Sequence, residues 1–293
     1  MQSKPYIEFK KQRELGEILT DSFNFIKFEF KPFFGTLLKI VGPYLFTTML
    51  FLGFYFYSFN GLFNFDFQSE GPDINPLFLI IAVLGLMVSA IAMYGLTQAT
   101  VLYYIKSYSD HKGHTEYDYI RREAYNKFWN FIGLSFLVGL VLVAGFMLCF
   151  IPGIYLYPPL MLSFSILVFM NKGVTDSFQY GFTLIKDNWW MTFAALFVLG
   201  IIILVIGYVF QIPSVIYLWI KMGVFSGEMD AESMGNVFDP VYILLNLMAY
   251  MVQFILQTVS LVAAAFIFFN LNEKKNFTGT MERIQNLGKE GND

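Results

Sequence analysis

Five stretches of this chain contain no Asp, Glu, Lys or Arg: residues 40–65, 74–105, 128–171, 188–220 and 240–272. Such runs constrain the fold more than any other feature. Roughly 20 apolar residues in helical form cross about 30 Å of hydrocarbon. In lipid every backbone N–H and C=O needs a partner within the protein, so each run has to be helical. The composition points the same way: of 293 residues, 56% are hydrophobic, 19% aromatic and 14% charged, and the mean hydropathy is +0.56. A soluble domain carries about 25% charged residues, so a soluble enzyme is excluded. A net charge of −3 excludes a basic nucleic-acid binder, and the single cysteine, Cys149, excludes an internal disulfide or a Cys-cluster metal site.

Four of the windows hold one helix each. The window 128–171 is 44 residues long, with Ile151-Pro152-Gly153 near its middle. Proline breaks a helix and glycine permits reversal, so this window reads as two helices joined by a tight turn over residues 150–153. The expectation is an all-α polytopic membrane protein with six spans, near 34–58, 77–105, 128–149, 154–171, 189–219 and 241–270. Pro158-Pro159 predicts a kink in the fourth span, whose freed backbone groups the neighbours must satisfy. Gly207 and Pro213 predict a bend or an early end in the fifth.

Lys and Arg set the orientation. Lys4, Lys10, Lys11, Arg13, Lys27 and Lys31 precede the first span, and Lys39 stands at its start. Lys106, Lys112, Arg121, Arg122 and Lys127 follow the second span, Lys172 and Lys186 the fourth, and Lys274, Lys275, Arg283 and Lys289 the sixth. The opposite segments, 59–76 and 221–239, hold Lys221 and seven acids. Both termini are therefore expected in the cytoplasm. The first 30 residues are too charged to read as a cleaved signal peptide.

The chain also repeats itself. Thr20-Asp21-Ser22-Phe23 recurs as Thr175-Asp176-Ser177-Phe178, and a lysine stands ten residues after each aspartate, at Lys31 and Lys186. Aromatic pairs follow, Phe33-Phe34 and Trp189-Trp190, and a weaker copy runs from Thr115-Glu116 to Lys127-Phe128-Trp129. Three tandem units are expected, 6–106, 112–171 and 173–271, with a cytoplasmic tail over 272–293 and a single integral membrane domain overall. Each unit would be a cytoplasmic amphipathic helix followed by a helical hairpin. The apolar stripes read Leu15, Ile18, Leu19, Phe23, Ile26 and Phe30 in the first unit, Tyr117, Ile120, Ala124, Tyr125 and Phe128 in the second, and Val174, Phe178, Gly181, Leu184 and Ile185 in the third. Such stripes fit helices lying in the interface, which orient the spans or bind a partner or anionic lipid.

Two phrases add a family likeness: Ile151-Pro152-Gly153-Ile154-Tyr155-Leu156, and Thr175-Asp176-Ser177-Phe178 with Leu184-Ile185-Lys186-Asp187-Asn188-Trp189-Trp190. The pattern resembles the membrane domain fused to some bacterial glycerophosphoryl diester phosphodiesterases, most clearly over 128–200. The resemblance implies a six-span protein of the bacterial inner membrane, accessory in role. This chain carries no segment that could form the phosphodiesterase barrel, so the hydrolase activity is not implied.

Reactive constellations are absent from the sequence. His111 and His114 lie three apart in a charged loop with Gly113, too few ligands for a zinc site even with Glu116 or Asp118. The charge-free windows lack the ionisable groups of proton relays and intramembrane proteases. No catalytic residue, cofactor or metal is therefore expected. Polar residues do occur at depth. Gln98, Gln211, Gln253 and Gln257 either bond between helices or line a polar cleft for a lipid head group or neutral solute. On the cytoplasmic side, Asp21, Lys31, Arg121, Arg122, Asp176 and Lys186 are the candidate contacts for a partner or lipid. The sequence thus favours a non-enzymatic scaffold or accessory subunit, whose partners are membrane lipids and other inner-membrane proteins and no nucleic acid. A lipid-handling or neutral-solute transporter without charge coupling is the alternative.

Overall fold

The structure is a computed structural model that describes residues 6–60, 76–148, 150–224 and 239–290. These residues form nine helices: α1 Leu15–Asn60, α2 Pro76–Asp110, α3 Tyr117–Asn126, α4 Phe128–Leu148, α5 Phe150–Phe169, α6 Val174–Ile185, α7 Trp189–Lys221, α8 Pro240–Asn276 and α9 Thr278–Glu290. Six of them (α1, α2, α4, α5, α7 and α8) are long and apolar enough to cross a membrane. Cys149 and the segments 61–75 and 225–238, which hold most of the acids counted above, lie outside the described residues.

Three local expectations are revised. The first elbow and the first span are one continuous helix of 46 residues, because Lys and Glu interrupt hydropathy without interrupting a helix. Helix α4 ends at Leu148 and α5 begins at Phe150, ahead of the expected turn, and Pro152 and Gly153 fall in the first turn of α5. Proline is tolerated there because its missing N–H would have had no helical partner. The early end does not occur at Pro213, which lies within α7 as it continues to Lys221.

The chain divides into two compact units. The first comprises Met1–Ile40, Gly95–Ile201 and Thr258–Asp293, and the second Val41–Tyr94 and Ile202–Gln257. In the first unit an aromatic core forms around Phe9, Phe25, Tyr108 and Phe266. Phe9 stacks on Phe266 at 4.2 Å between centroids, and Phe25 meets Tyr108 edge-on at 5.1 Å. The buried face of α1 is Ile18, Ser22, Phe25, Glu29 and Phe33, whereas Phe23 and Phe30 of the expected stripe are 39% and 55% exposed. Two polar residues on the inner face explain the misreading. Ser22 donates its hydroxyl to the Ile18 carbonyl at 2.6 Å, and Glu29 accepts from the Tyr104 hydroxyl at 3.0 Å.

Helix α6 runs back along α5 in the antiparallel sense. Gly181 packs against Pro159, whose carbonyl oxygen would lie 2.5 Å from an added Cβ. Trp189, just beyond α6, stacks on Tyr155 at 5.4 Å, and its indole N–H donates to the Tyr155 carbonyl at 3.1 Å. That carbonyl lost its helical donor to the proline four residues on, Pro159. The expected shielding of the proline-freed backbone is therefore met at Tyr155 by a residue of the repeat motif. Helix α6 packs on α5 by its Gly181 face.

The second unit is closed by the residues 41–60 of α1, 76–94 of α2, 202–221 of α7 and 240–257 of α8. Gly85 admits the Phe51 ring, whose nearest atom would stand 2.3 Å from an added Cβ. Asp239 caps α8, accepting from the Tyr242 N–H at 2.9 Å, and pairs with Lys221 at 3.0 Å. Pro240 follows at the first helical position, where its fixed φ suits the helix.

Two substitutions test this packing. Gly181→Ala should lower the melting temperature in mild detergent, since overpacking against backbone costs about 1–3 kcal/mol. Gly200→Ala, in the same unit with nothing within 4 Å of the added methyl, should leave it unchanged or raise it. Trp189→Phe keeps the ring stack but leaves the Tyr155 carbonyl without its donor. A hydrogen bond contributes about 0.5–1.5 kcal/mol net, so this variant should melt somewhat below one carrying Trp190→Phe at the 77%-exposed neighbour.

Candidate functional site

The densest polar constellation lies where residues 6–13 are held in the first unit. Arg13 is fully buried at its side chain and spreads its donors over several oxygens. Its Nε donates to Asp21 at 2.8 Å, and Nη1 to the Phe9 and Lys11 carbonyls at 2.9 and 3.3 Å. Nη2 donates to the Glu8 carbonyl, and the guanidinium lies 4.7 Å from the centroid of Phe266. The Arg13 backbone N–H reaches Asn270 Oδ1 at 2.8 Å. A planar group with five donors suits this task, and lysine cannot replace it. Burial lowers the Arg13 pKa, while the hydrogen bond and charge of Asp21 oppose that shift.

A second buried charge, Glu273, ties α9 to the end of α8. Its carboxylate accepts from the N–H groups of Gly279 and Thr280 at 2.6 and 2.9 Å, and from the Thr280 hydroxyl at 2.6 Å. These are the unpaired amides of the α9 N-terminus, where a negative charge also meets the positive helix end. Phe277 makes the corner with a left-handed φ of 51°. Gly279 is required against the Lys10 carbonyl, which would stand 2.3 Å from a Cβ. Lys10 in turn pairs with Glu282 at 3.0 Å and Asp110 at 3.7 Å.

Two cavities lie in the first unit, and the smaller adjoins these contacts. One, of about 220 Å³, is lined by Tyr6, Glu8, Lys10, Lys112, Glu282 and Arg283. Its Tyr6 hydroxyl is pushed up to about 12 by burial and by the charges of Tyr108, Glu8, Glu282 and Asp110. Opposite charges pair across it, Arg283 standing 4.0 Å from Glu8, so it does not present one sign of charge to a ligand. The other is a wider hollow of about 650 Å³, walled by Ile151, Ile154, Tyr155, Trp189 and Phe193, with Lys186 and Asp187 at its polar side.

The residues singled out from sequence fare differently. Gln98 is buried in α2 of the first unit, and its Oε1 has no protein partner, as is also true of Thr100 Oγ1. Gln211, Gln253 and Gln257 belong to the second unit. Gln211 donates to Ser214 at 2.8 Å and to Asn246 on α8 at 3.1 Å. Gln253 points Oε1 at Gly207, 2.9 Å from where a Cβ would stand. These two side chains join α7 to α8, and neither cavity described above is lined by a glutamine. Asp21 is taken up internally by Arg13 and Lys11. Lys31, Arg121, Arg122, Asp176 and Lys186 are exposed, Arg122 within 3.6 Å of Glu123. His111 and His114 are exposed in the α2–α3 turn, His111 donating from Nδ1 to the Ser107 carbonyl at 2.9 Å.

Sequence reasoning missed Arg13, Glu29 and Glu273. Arg13 counted only as an interfacial cation. Its being the one arginine among Lys4, Lys10 and Lys11 was the available signal. No protein-family model matches the chain, and neither does any curated protein or solved structure.

Arg13→Ala should strip residues 6–13 from the first unit. Removing one partner of a buried ion pair costs about 3–5 kcal/mol, and Arg13→Lys should recover only a minor part of it. Limited proteolysis reads this directly: cleavage should rise near residues 6–13 in both variants and most in Arg13→Ala.

Proposed function

We propose that this chain is a non-enzymatic scaffold or accessory subunit of a bacterial inner-membrane complex, with both termini in the cytoplasm. The observation that carries this reading is the use of its polar groups. The charged side chains buried among the described residues, Arg13, Glu29 and Glu273, hold the chain's own segments together. Gln211 and Gln253 likewise serve helix-to-helix packing. What faces outward is a basic, aromatic surface: Arg121 and Arg122 on α3, with Trp129 76% exposed just beyond. The Lys and Arg distribution supports the orientation.

Three tandem units, each an interfacial helix leading into a hairpin, remain part of this reading. The two Thr-Asp-Ser-Phe copies support it. Ser22 and Ser177 are both fully buried, and each donates its hydroxyl to the carbonyl four residues back, at 2.6 and 2.7 Å. The likeness to the membrane domain of glycerophosphoryl diester phosphodiesterases supports an accessory role in the same spirit. Lipid handling is the second reading, favoured by the aromatic hollow beside Lys186 and by the unpartnered Gln98 Oε1 and Thr100 Oγ1.

Extraction of the native protein in a lipid-preserving polymer, followed by mass spectrometry, separates the two. The scaffold reading expects a stoichiometric membrane-protein partner. Its capture should be lost on Arg121→Glu with Arg122→Glu while the melting temperature holds. A lone chain carrying one enriched lipid overturns the scaffold reading in favour of lipid handling.

A further inference from the structure

Length and apolarity qualify α4 and α5 as spans, but their contacts set a different course. If the α4–α5 hairpin crossed the membrane, its tip at Leu148–Phe150 would emerge on the face opposite Lys127 and Lys172, which flank it in sequence. The structure ties that tip to Lys186. Tyr155 lies five residues beyond Phe150, about 8 Å along the helix, and carries Trp189 on its carbonyl. Ile151 and Ile154 line the same hollow as Lys186 and Asp187. Lys172 and Lys186 flank α6, whose 12 residues span about 18 Å, too short to cross roughly 30 Å of hydrocarbon. The two lysines therefore share one membrane face, and the hairpin tip stays close to that face.

The far end of α5 is anchored to the same region. Val168 accepts from Lys106 Nζ at 3.1 Å, and Phe169 packs on Phe269 at 4.6 Å between centroids. Met191, two residues beyond Trp189, meets Lys274 Nζ at 3.3 Å. Both ends of α5 thus lie among residues next to the cytoplasmic lysines Lys106 and Lys274.

We propose that α4 and α5 form a re-entrant wedge. It enters and leaves one leaflet by the same face, and only α1, α2, α7 and α8 cross the bilayer. Its occupant is the acyl-chain layer of that leaflet. The surface that meets it is the outer stripe of α4 (Phe136, Leu140, Val143 and Met147) with Leu148 and Ile151 at the tip, 54–83% exposed. Trp190, 77% exposed at the start of α7, marks the water boundary beside the tip. A shallow tip also suits the reversal itself, since the unpaired amides and carbonyls of two helix ends are tolerated near head groups and not at mid-bilayer.

The test places a single cysteine at Leu148→Cys in a Cys149→Ser chain. The full protein is reconstituted in phosphatidylethanolamine–phosphatidylglycerol vesicles. Lys112→Cys and Val224→Cys serve as references for the two faces, and Phe150→Cys as a second tip position in case Leu148→Cys fails to fold. The expected result has two parts: loss of labelling by an impermeant maleimide from the Val224 side, and strong quenching of a tip fluorophore by lipids nitroxide-labelled on the upper acyl chain. Labelling of the tip from the Val224 side overturns the proposal in favour of two full spans. Labelling from the Lys112 side without lipid quenching overturns it in favour of a tip in water. Neither outcome bears on whether the protein has a partner.

Discussion

The Tyr155 carbonyl sets the course of the chain through the first unit. Pro159 has no N–H to give it, so the carbonyl takes its donor from elsewhere in the chain. The indole of Trp189 meets that need, and the rest follows from it. For Trp189 to reach Tyr155, the intervening α6 must double back along α5. For α6 to lie that close, residue 181 can have no side chain. The hydroxyl of Ser163, donated to the Pro159 carbonyl at 3.0 Å, fills the remaining space beside Gly181. One missing amide proton thus explains a helix direction, a glycine, a serine and a tryptophan that hydropathy alone would treat as unrelated.

A second tie of the same kind closes the other side of this unit. The residues 6–13 have too little apolar surface to hold themselves in place, yet Phe9 is fully buried and stacked on Phe266. Burying Phe9 brings carbonyls of an irregular segment out of water, and each needs a donor. Arg13 supplies them from within the segment, and Asp21 balances its charge. Glu273 does the converse at α9, giving acceptors to bare amides. Both charges act as internal fasteners. That is the physical sense in which this end of the protein is preorganised.

How much of this was legible in the sequence depends on range. The six apolar helices follow from where charge is missing, since a single lysine in mid-bilayer is expensive. Their ends were less legible. Residues 21–31 carry charge and still continue α1, because a helix ends where backbone geometry changes and not where hydropathy falls. The stretch 272–293 reads from sequence only as a cytoplasmic tail, and within it residues 278–290 form α9. The cap that starts it comes from Glu273, several residues upstream and on another helix, where no local capping pattern reveals it. The inner face of α1 was misread because Ser22 is satisfied by the Ile18 carbonyl of its own helix and Glu29 by the distant Tyr104, so both polar side chains can be buried.

The same distinction governs what the polar residues at depth can do. A glutamine in a charge-free window is ambiguous by sequence, because bonding between helices and lining a passage call for the same side chain. Geometry separates the two uses. Gln211 spends its amide N–H groups on Ser214 and Asn246, and Gln253 lies where Gly207 lets α7 and α8 approach. Such a contact gains from close packing and would be lost if the helices moved apart to admit a solute. Gln98 and Thr100 differ, since both present buried oxygens that no protein donor meets. Each of these oxygens, on its own side of α2, calls for a hydroxyl, an amine or water, whereas the glutamines that join α7 to α8 already serve packing.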